Sequence, residues 1–210
     1  MAMIAAFQRE RPKPMNSLTN DLLQQLDGQP MSQLGQQLGL NAQQTSGAVA
    51  AALPLLMGAL GRNASQEGGA QQLLGALQRD HAGLDIGSVL GAVMGGGGGG
   101  GDILGHILGA KQQPAAQGLG AATGLDSDRA GTLLKMLAPL VMAYLAKQVG
   151  SSGSNPQALS GLLGQERQQI QQQGGIGGSL LGAVLDQDGD GKLGMSDLLK
   201  AGGSLFGDKR

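Results

Sequence analysis

Leu38–Leu60 reads LGLNAQQTSGAVAAALPLLMGAL, and Ala122–Leu145 reads ATGLDSDRAGTLLKMLAPLVMAYL. At an offset of 85, Gly39-Leu40 falls on Gly124-Leu125 and Pro54-Leu55 on Pro139-Leu140. Met57 then falls on Met142, Leu60 on Leu145 and, upstream, Leu34-Gly35 on Leu119-Gly120. Scattered Leu matches mean little in a Leu-rich chain. Pro, Met and Gly in register with them point to an internal repeat. Leu133, Leu134, Leu137, Leu140, Val141, Tyr144 and Leu145 recur at i, i+3, i+4 and i+7, the period of one helical face. Val49, Leu53, Leu56, Met57 and Leu60 do the same in the other stretch. Asn41 and Asp126 stand where helix N-caps belong. Pro54 and Pro139 lie inside these patterns. Each removes a backbone hydrogen bond and crowds the preceding turn, so each helix is expected to kink or split there.

The repeat extends beyond the quoted stretches. LGAVM at Leu90–Met94 matches LGAVL at Leu181–Leu185, at an offset of 91. Glycines 95–101 follow the first copy, and an aspartate-rich loop follows the second. Strand-type alternation is nearly absent. The spacing predicts further helices at Asn16–Leu26, Met31–Leu38, Ala70–Arg79, Asp102–Leu108, Pro114–Ala122, Pro156–Gln172 and Ser196–Phe206, with linkers at Gly150–Asn155 and Gly174–Ser179. The expected fold is all-α: two similar repeats with Pro-kinked central helices, a glycine-rich linker and a C-terminal loop-helix. Residues 1–14 are expected to be a disordered extension or a misassigned start, since helical patterning begins just after Met15. Residues 15–94 form the first repeat, 95–101 the linker, 102–185 the second repeat and 186–210 the aspartate-rich loop with its terminal helix.

Composition narrows the function. The 210 residues include 40 glycines, two Phe, one Tyr and no Trp or Cys. The core must therefore come from Leu, Ala and Met, which bury less area per residue than aromatics. Without Cys there are no disulfides, thiolate metal sites or thiol catalysis. A formal net charge of −1 leaves no electrostatic footprint for nucleic acid or an anionic membrane. Gly28 through Gly61 carries no charged residue, and its polar positions are mostly Gln, a surface suited to self-association. No secretory signal precedes the helical region. No uninterrupted apolar run reaches the roughly 18 to 20 residues of a membrane span. Ala48–Leu60 and Leu133–Ala146 come nearest, and each contains a proline.

An LGxxxGL helix-turn, then LPLLMGAL or APLVMAYL, then a Gly-rich LGAVxGG segment resembles the bacterial domain of unknown function family 937, the YidB-like proteins. The resemblance covers roughly Met15 to the C-terminus. It implies a multihelical cytoplasmic protein without an established activity, and it brings no catalytic residues.

The sharpest chemical signal is DQDGDGKLGMSD, Asp186 to Asp197. An EF-hand loop places oxygen ligands at positions one, three, five, seven, nine and twelve, with Gly at six. Asp186, Asp188 and Asp190 fill the first three, and Gly191 fills the bend. Lys192 offers its backbone carbonyl at the seventh position, and Leu193 supplies the apolar anchor. Gly194 leaves the ninth to water. Asp197 replaces the usual Glu at the twelfth. Carboxylates crowded this closely repel one another, and a hard divalent cation relieves the repulsion. The expected cofactor is Ca²⁺. A short, Gly-interrupted entering segment makes the region resemble a dockerin-type loop-helix, and the shorter Asp at the twelfth position weakens the site. Affinity is expected on the order of 10⁻⁵ to 10⁻³ M.

MSQLGQQLGLNAQQTSGAV has helix-turn-helix spacing, with Gly35 in the first helix, Gly39 at the turn, and Thr45 and Val49 in the second. Gly120, Gly124, Ala130 and Leu134 repeat it. A DNA reader needs Arg or Lys on the second helix. The first copy offers Gln43, Gln44 and Ser46, and the second sets Arg129 beside Asp126 and Asp128. Nucleic-acid binding is therefore the weaker reading. The glycine run lacks the Gly-Lys-Ser/Thr of a phosphate loop and reads as a flexible linker. Gly87, Gly91 and Gly95, and again Gly101, Gly105 and Gly109, recur every four residues, as where helices approach closely. His81 and His106 lack a companion ligand set or a nucleophile. The Met residues read as core gap-fillers. The sequence thus points to a non-enzymatic cytoplasmic protein with a weak Ca²⁺ loop, acting through a protein partner or self-association. The alternative is a nucleic-acid-binding regulator.

Overall fold

The computed structural model describes residues 17–173 apart from 81, 82, 98 and 152. The described residues are helical, without strands. In chain order they form α1 (Leu18–Leu26), α2 (Gln29–Leu38), α3 (Ala42–Ser65), α4 (Gly69–Asp80), α5 (Ile86–Met94) and α6 (Gly100–Leu108). A 3₁₀ turn (Gly109–Lys111) leads into α7 (Gln112–Thr123), then α8 (Ser127–Ser151) and α9 (Pro156–Gln173).

The helix ends follow from local chemistry. Gly39 and Gly124 close α2 and α7 in the left-handed conformation, at φ 63° and 74°, where a Cβ would be strained. Beyond these turns the Leu40 amide donates to the Gly35 carbonyl at 2.8 Å, and the Leu125 amide to the Gly120 carbonyl at 3.0 Å. Asn41 then caps α3: its side chain accepts from the Gln44 amide at 2.9 Å, and the Gln44 side chain accepts from the Asn41 amide at 3.1 Å. Asp126 caps α8 by accepting from the Arg129 amide at 2.8 Å.

Both long helices run through their prolines without splitting. Pro54 has no N–H for the carbonyl of Ala50, which lies on the exposed side of α3. Pro139 likewise leaves the carbonyl of Lys135 without its helical donor, and α6 begins against that oxygen. A Cβ on Gly100 would stand 2.1 Å from it. Glycines 95–101 are therefore not all linker, because Gly100 and Gly101 open α6.

The two long helices are the axis of one hydrophobic core. Leu53, Leu55, Leu56, Met57 and Leu60 of α3 are buried with Leu133, Leu134, Leu137, Leu140 and Leu145 of α8. Each fully buried Leu contributes about 1.5 to 3 kcal/mol. α2 packs on α3 and on α8, and α7 packs on α8 and on α3. α9 lies along α3, α4 touches α3, α8 and α9, and α5 and α6 lie on α8. Gly61 is what lets α9 approach, since a Cβ there would be 3.1 Å from the carbonyl of Leu163.

α3 and α8 also reach the length and apolarity of a membrane-crossing helix, with a mean hydropathy of 1.2 over the best window of each. Counting uninterrupted apolar runs missed this, because interspersed Gly, Thr and Gln barely lower the average. In each window 72% of the residues are buried within the fold, as expected of core helices.

Candidate functional site

The aspartate loop expected to hold Ca²⁺, with Asp186, Asp188, Asp190, Lys192 and Asp197, lies outside the described residues. Among the described residues no group of three or more His, Cys, Asp or Glu could hold a metal ion. His106 sits on α6, where its Nδ1 lies 2.8 Å from the carbonyl of Asp102, a local helical contact. His81 is outside the described residues.

The helix-turn units are packing devices in their geometry. Thr45 and Val49 are buried, and the Thr45 hydroxyl donates to the Asn41 carbonyl at 2.8 Å. A Cβ on Gly35 would be 2.7 Å from that hydroxyl oxygen, and one on Gly120 would be 2.7 Å from the carbonyl of Leu125. Small residues are thus needed where each turn crosses back over its helix. Gln43, Gln44 and Ser46 remain exposed on α3. Arg129 on α8 pairs with Asp126 at 3.2 Å, so the cation that would meet a phosphate already faces a carboxylate.

The glycines spaced every four residues do not mark helix contacts. Gly91 and Gly101 face open space, and Gly87 lies against its own cap, Asp85. Asp85 accepts from the amide and hydroxyl of Ser88. The hydroxyl first, then the amide, holds its carboxyl below the usual range. The close approaches fall instead at Gly61 and Gly100, which share no such spacing.

Two features were not anticipated. The first is a buried carboxylate. Glu166 on α9 is 3% exposed and accepts from the amides of Leu18 at 2.7 Å and Thr19 at 3.0 Å, and from the Thr19 hydroxyl. It thereby satisfies amides at the start of α1 that lack helical acceptors, and it places negative charge at the positive end of that helix. Ser17 adds the local cap, accepting from the Asn20 amide at 3.1 Å. Nearby, the buried Tyr144 hydroxyl accepts from the Gln148 amide group at 2.8 Å. Burial raises the pKa of this phenol, and the negative charges of Asp21 and Glu166 add to the effect. The signal for Glu166 was present in the sequence. Leu159, Leu163 and Ile170 form the buried stripe of α9, and Glu166 sits in that stripe. A charge in an apolar stripe implies a buried partner.

The second feature is a groove of about 530 Å³ between α2 and α5, lined by Gln33, Gln36, Gln37, Gly91 and Met94. Its walls are amides on one side and a thioether and backbone on the other. It can offer hydrogen bonds and apolar contact but no charge.

No curated protein matches the chain, and no solved structure does. Residues 20–148 match the model of a family described as bacterial protein of unknown function (DUF937). That span begins in α1 and ends in α8, so it takes in both helix-turn units and most of the shared core. The chain belongs to this family of bacterial proteins.

Proposed function

We propose that the protein is a non-enzymatic helical scaffold built of two similar units, whose C-terminal loop binds Ca²⁺ weakly and which works in the cytoplasm through a protein partner or self-association. The observation that carries the reading is the spacing of Asp186, Asp188 and Asp190 before Gly191, with Asp197 closing the loop. That spacing suits an oxygen-seeking divalent cation. The matched geometry of the turns at Gly39 and Gly124 supports the two units. The neutral amide wall of Gln33, Gln36 and Gln37 supports an interaction role over charge-steered recognition. Burial of Thr45 and Val49 favours packing over groove reading for the helix-turn units.

Calorimetric titration of the full chain with Ca²⁺ tests the loop. Binding with a Kd on the order of 10⁻⁵ to 10⁻³ M is expected, abolished in Asp186→Ala/Asp190→Ala. No saturable heat at millimolar ion, or equal heat in the double variant, would end the proposal. Heat is a better readout than sensitised lanthanide emission, because Tyr144 is buried in the core with 1% exposure.

A further inference from the structure

α5 seats between α2 and α8, touching both, and α2 and α8 also pack on each other. At the offset of 85 these elements correspond to α7 and α3, which likewise pack on each other. The sequence of α5, IGSVLGAVM, has a counterpart in residues 177–185, GGSLLGAVL, outside the described residues. The geometry points to residues 177–185 as the occupant of the α7–α3 cleft, seated as α5 is seated in the α2–α8 cleft. This rests on the two-unit reading and does not require the ion.

Three observations carry it. First, the apolar face repeats. Val89 and Leu90 are the buried residues of α5, and Leu180 and Leu181 hold their places. Second, the tether is short. Residues 174–176 separate the end of α9 from Gly177, a reach of roughly 14 Å at about 3.5 Å per residue. α9 lies along α3, so the segment starts beside the cleft. α4 lies on α8 in the same way and delivers α5 there. Third, the wall fits. Gln33, Gln36 and Gln37 of the α2 groove correspond to Gly118, Ala121 and Ala122 on α7, of which Ala121 is exposed. Long amides hold the first groove open. Small residues let a helix of the LGAVL type lie closer, with Gly182 and Leu185 in the places of Gly91 and Met94. The seat would also deliver the aspartate loop beside the shared core.

The chain has no cysteine, so one introduced thiol labels one site. A nitroxide on Ala121→Cys in the full-length protein, with EGTA present, is read by the amide signals of residues 180–185. Loss of those signals is expected. A label on Gln36→Cys should instead erase residues 90–94, because Gln36 and Met94 line one groove. Leu181→Asp should restore the signals of 180–185 in the Ala121-labelled protein. Sharp signals beside the Ala121 label, while the Gln36 label works, would overturn the assignment. So would loss that persists in Leu181→Asp, or loss that appears only when labelled and unlabelled copies are mixed, which would make a second copy the occupant. Calcium calorimetry is independent of this result, so failure of the loop and failure of the seat are read separately.

Discussion

The helix-turn of α2 and α3 and the helix-turn of α7 and α8 share a backbone and differ in chemistry. Both turn through a left-handed glycine, both cross a small residue at the equivalent place, and both carry a proline at the same depth of the long helix. The first crossing places Gly35 against a side-chain hydroxyl, and the second places Gly120 against a backbone carbonyl. The first long helix is capped by a neutral Asn–Gln box, the second by an Asp that also pairs with Arg129. Pro139 is buried where Pro54 is half-buried. The comparison teaches which parts of the unit are fixed by backbone geometry and which are free. Turn glycine, crossing glycine and proline are kept, whereas cap charge and wall side chains vary.

The largest expected effect lies where the units are joined. Glu166 ties α9, which follows the second unit, to the start of α1 in the first. Glu166→Ala removes the acceptor for two backbone amides and a hydroxyl in a site without water access. It should cost about 3 kcal/mol, read as a lower midpoint in urea. Glu166→Gln, which keeps one acceptor oxygen, should cost less.

The next effect separates backbone from side-chain neighbours. Gly100→Ala and Gly120→Ala set a Cβ against carbonyl oxygens of Lys135 and Leu125, which cannot turn aside. Each should cost about 2 kcal/mol in the same unfolding measurement. Gly35→Ala meets the Thr45 hydroxyl first, a group that can rotate, and should cost about 1 kcal/mol. Equal costs at Gly35 and Gly120 would remove that distinction.

The smallest effect distinguishes the caps. Asn41→Ala and Asp126→Ala should each cost about 1 kcal/mol, by thermal or chemical unfolding. Salt should leave the first unchanged. It should reduce the second by roughly a few tenths of a kcal/mol, because the Asp126–Arg129 pair is exposed and screened.

Much of this fold was legible in the residues. Helical spacing of Leu placed the long helices, and Asn41, Asp126, Gly39 and Gly124 marked their ends, because caps act through one or two neighbouring amides. Gly61 and Gly100 were not legible as contact sites. A close approach depends on which distant backbone arrives, here Leu163 and Lys135, and sequence spacing does not contain that. The prolines were read as break points, yet each helix continues because only one carbonyl loses its donor. Glu166 was legible only as an odd charge in an apolar stripe, since its partners lie at the far end of the chain. The calcium loop rests on residue order alone, as Asp186–Asp197 falls outside the described residues.

The central structural claim is that two similar units share one core instead of folding as separate bodies. α3 packs on α8, each unit's shorter helix reaches the other's long helix, and Glu166 closes the ends. Differential scanning calorimetry of the full chain tests this most directly. A single transition is expected, with calorimetric and van't Hoff enthalpies in a ratio of about one. Glu166→Ala should lower that transition without dividing it. Two resolved transitions in the wild-type protein, or a ratio well above one, would contradict the shared core.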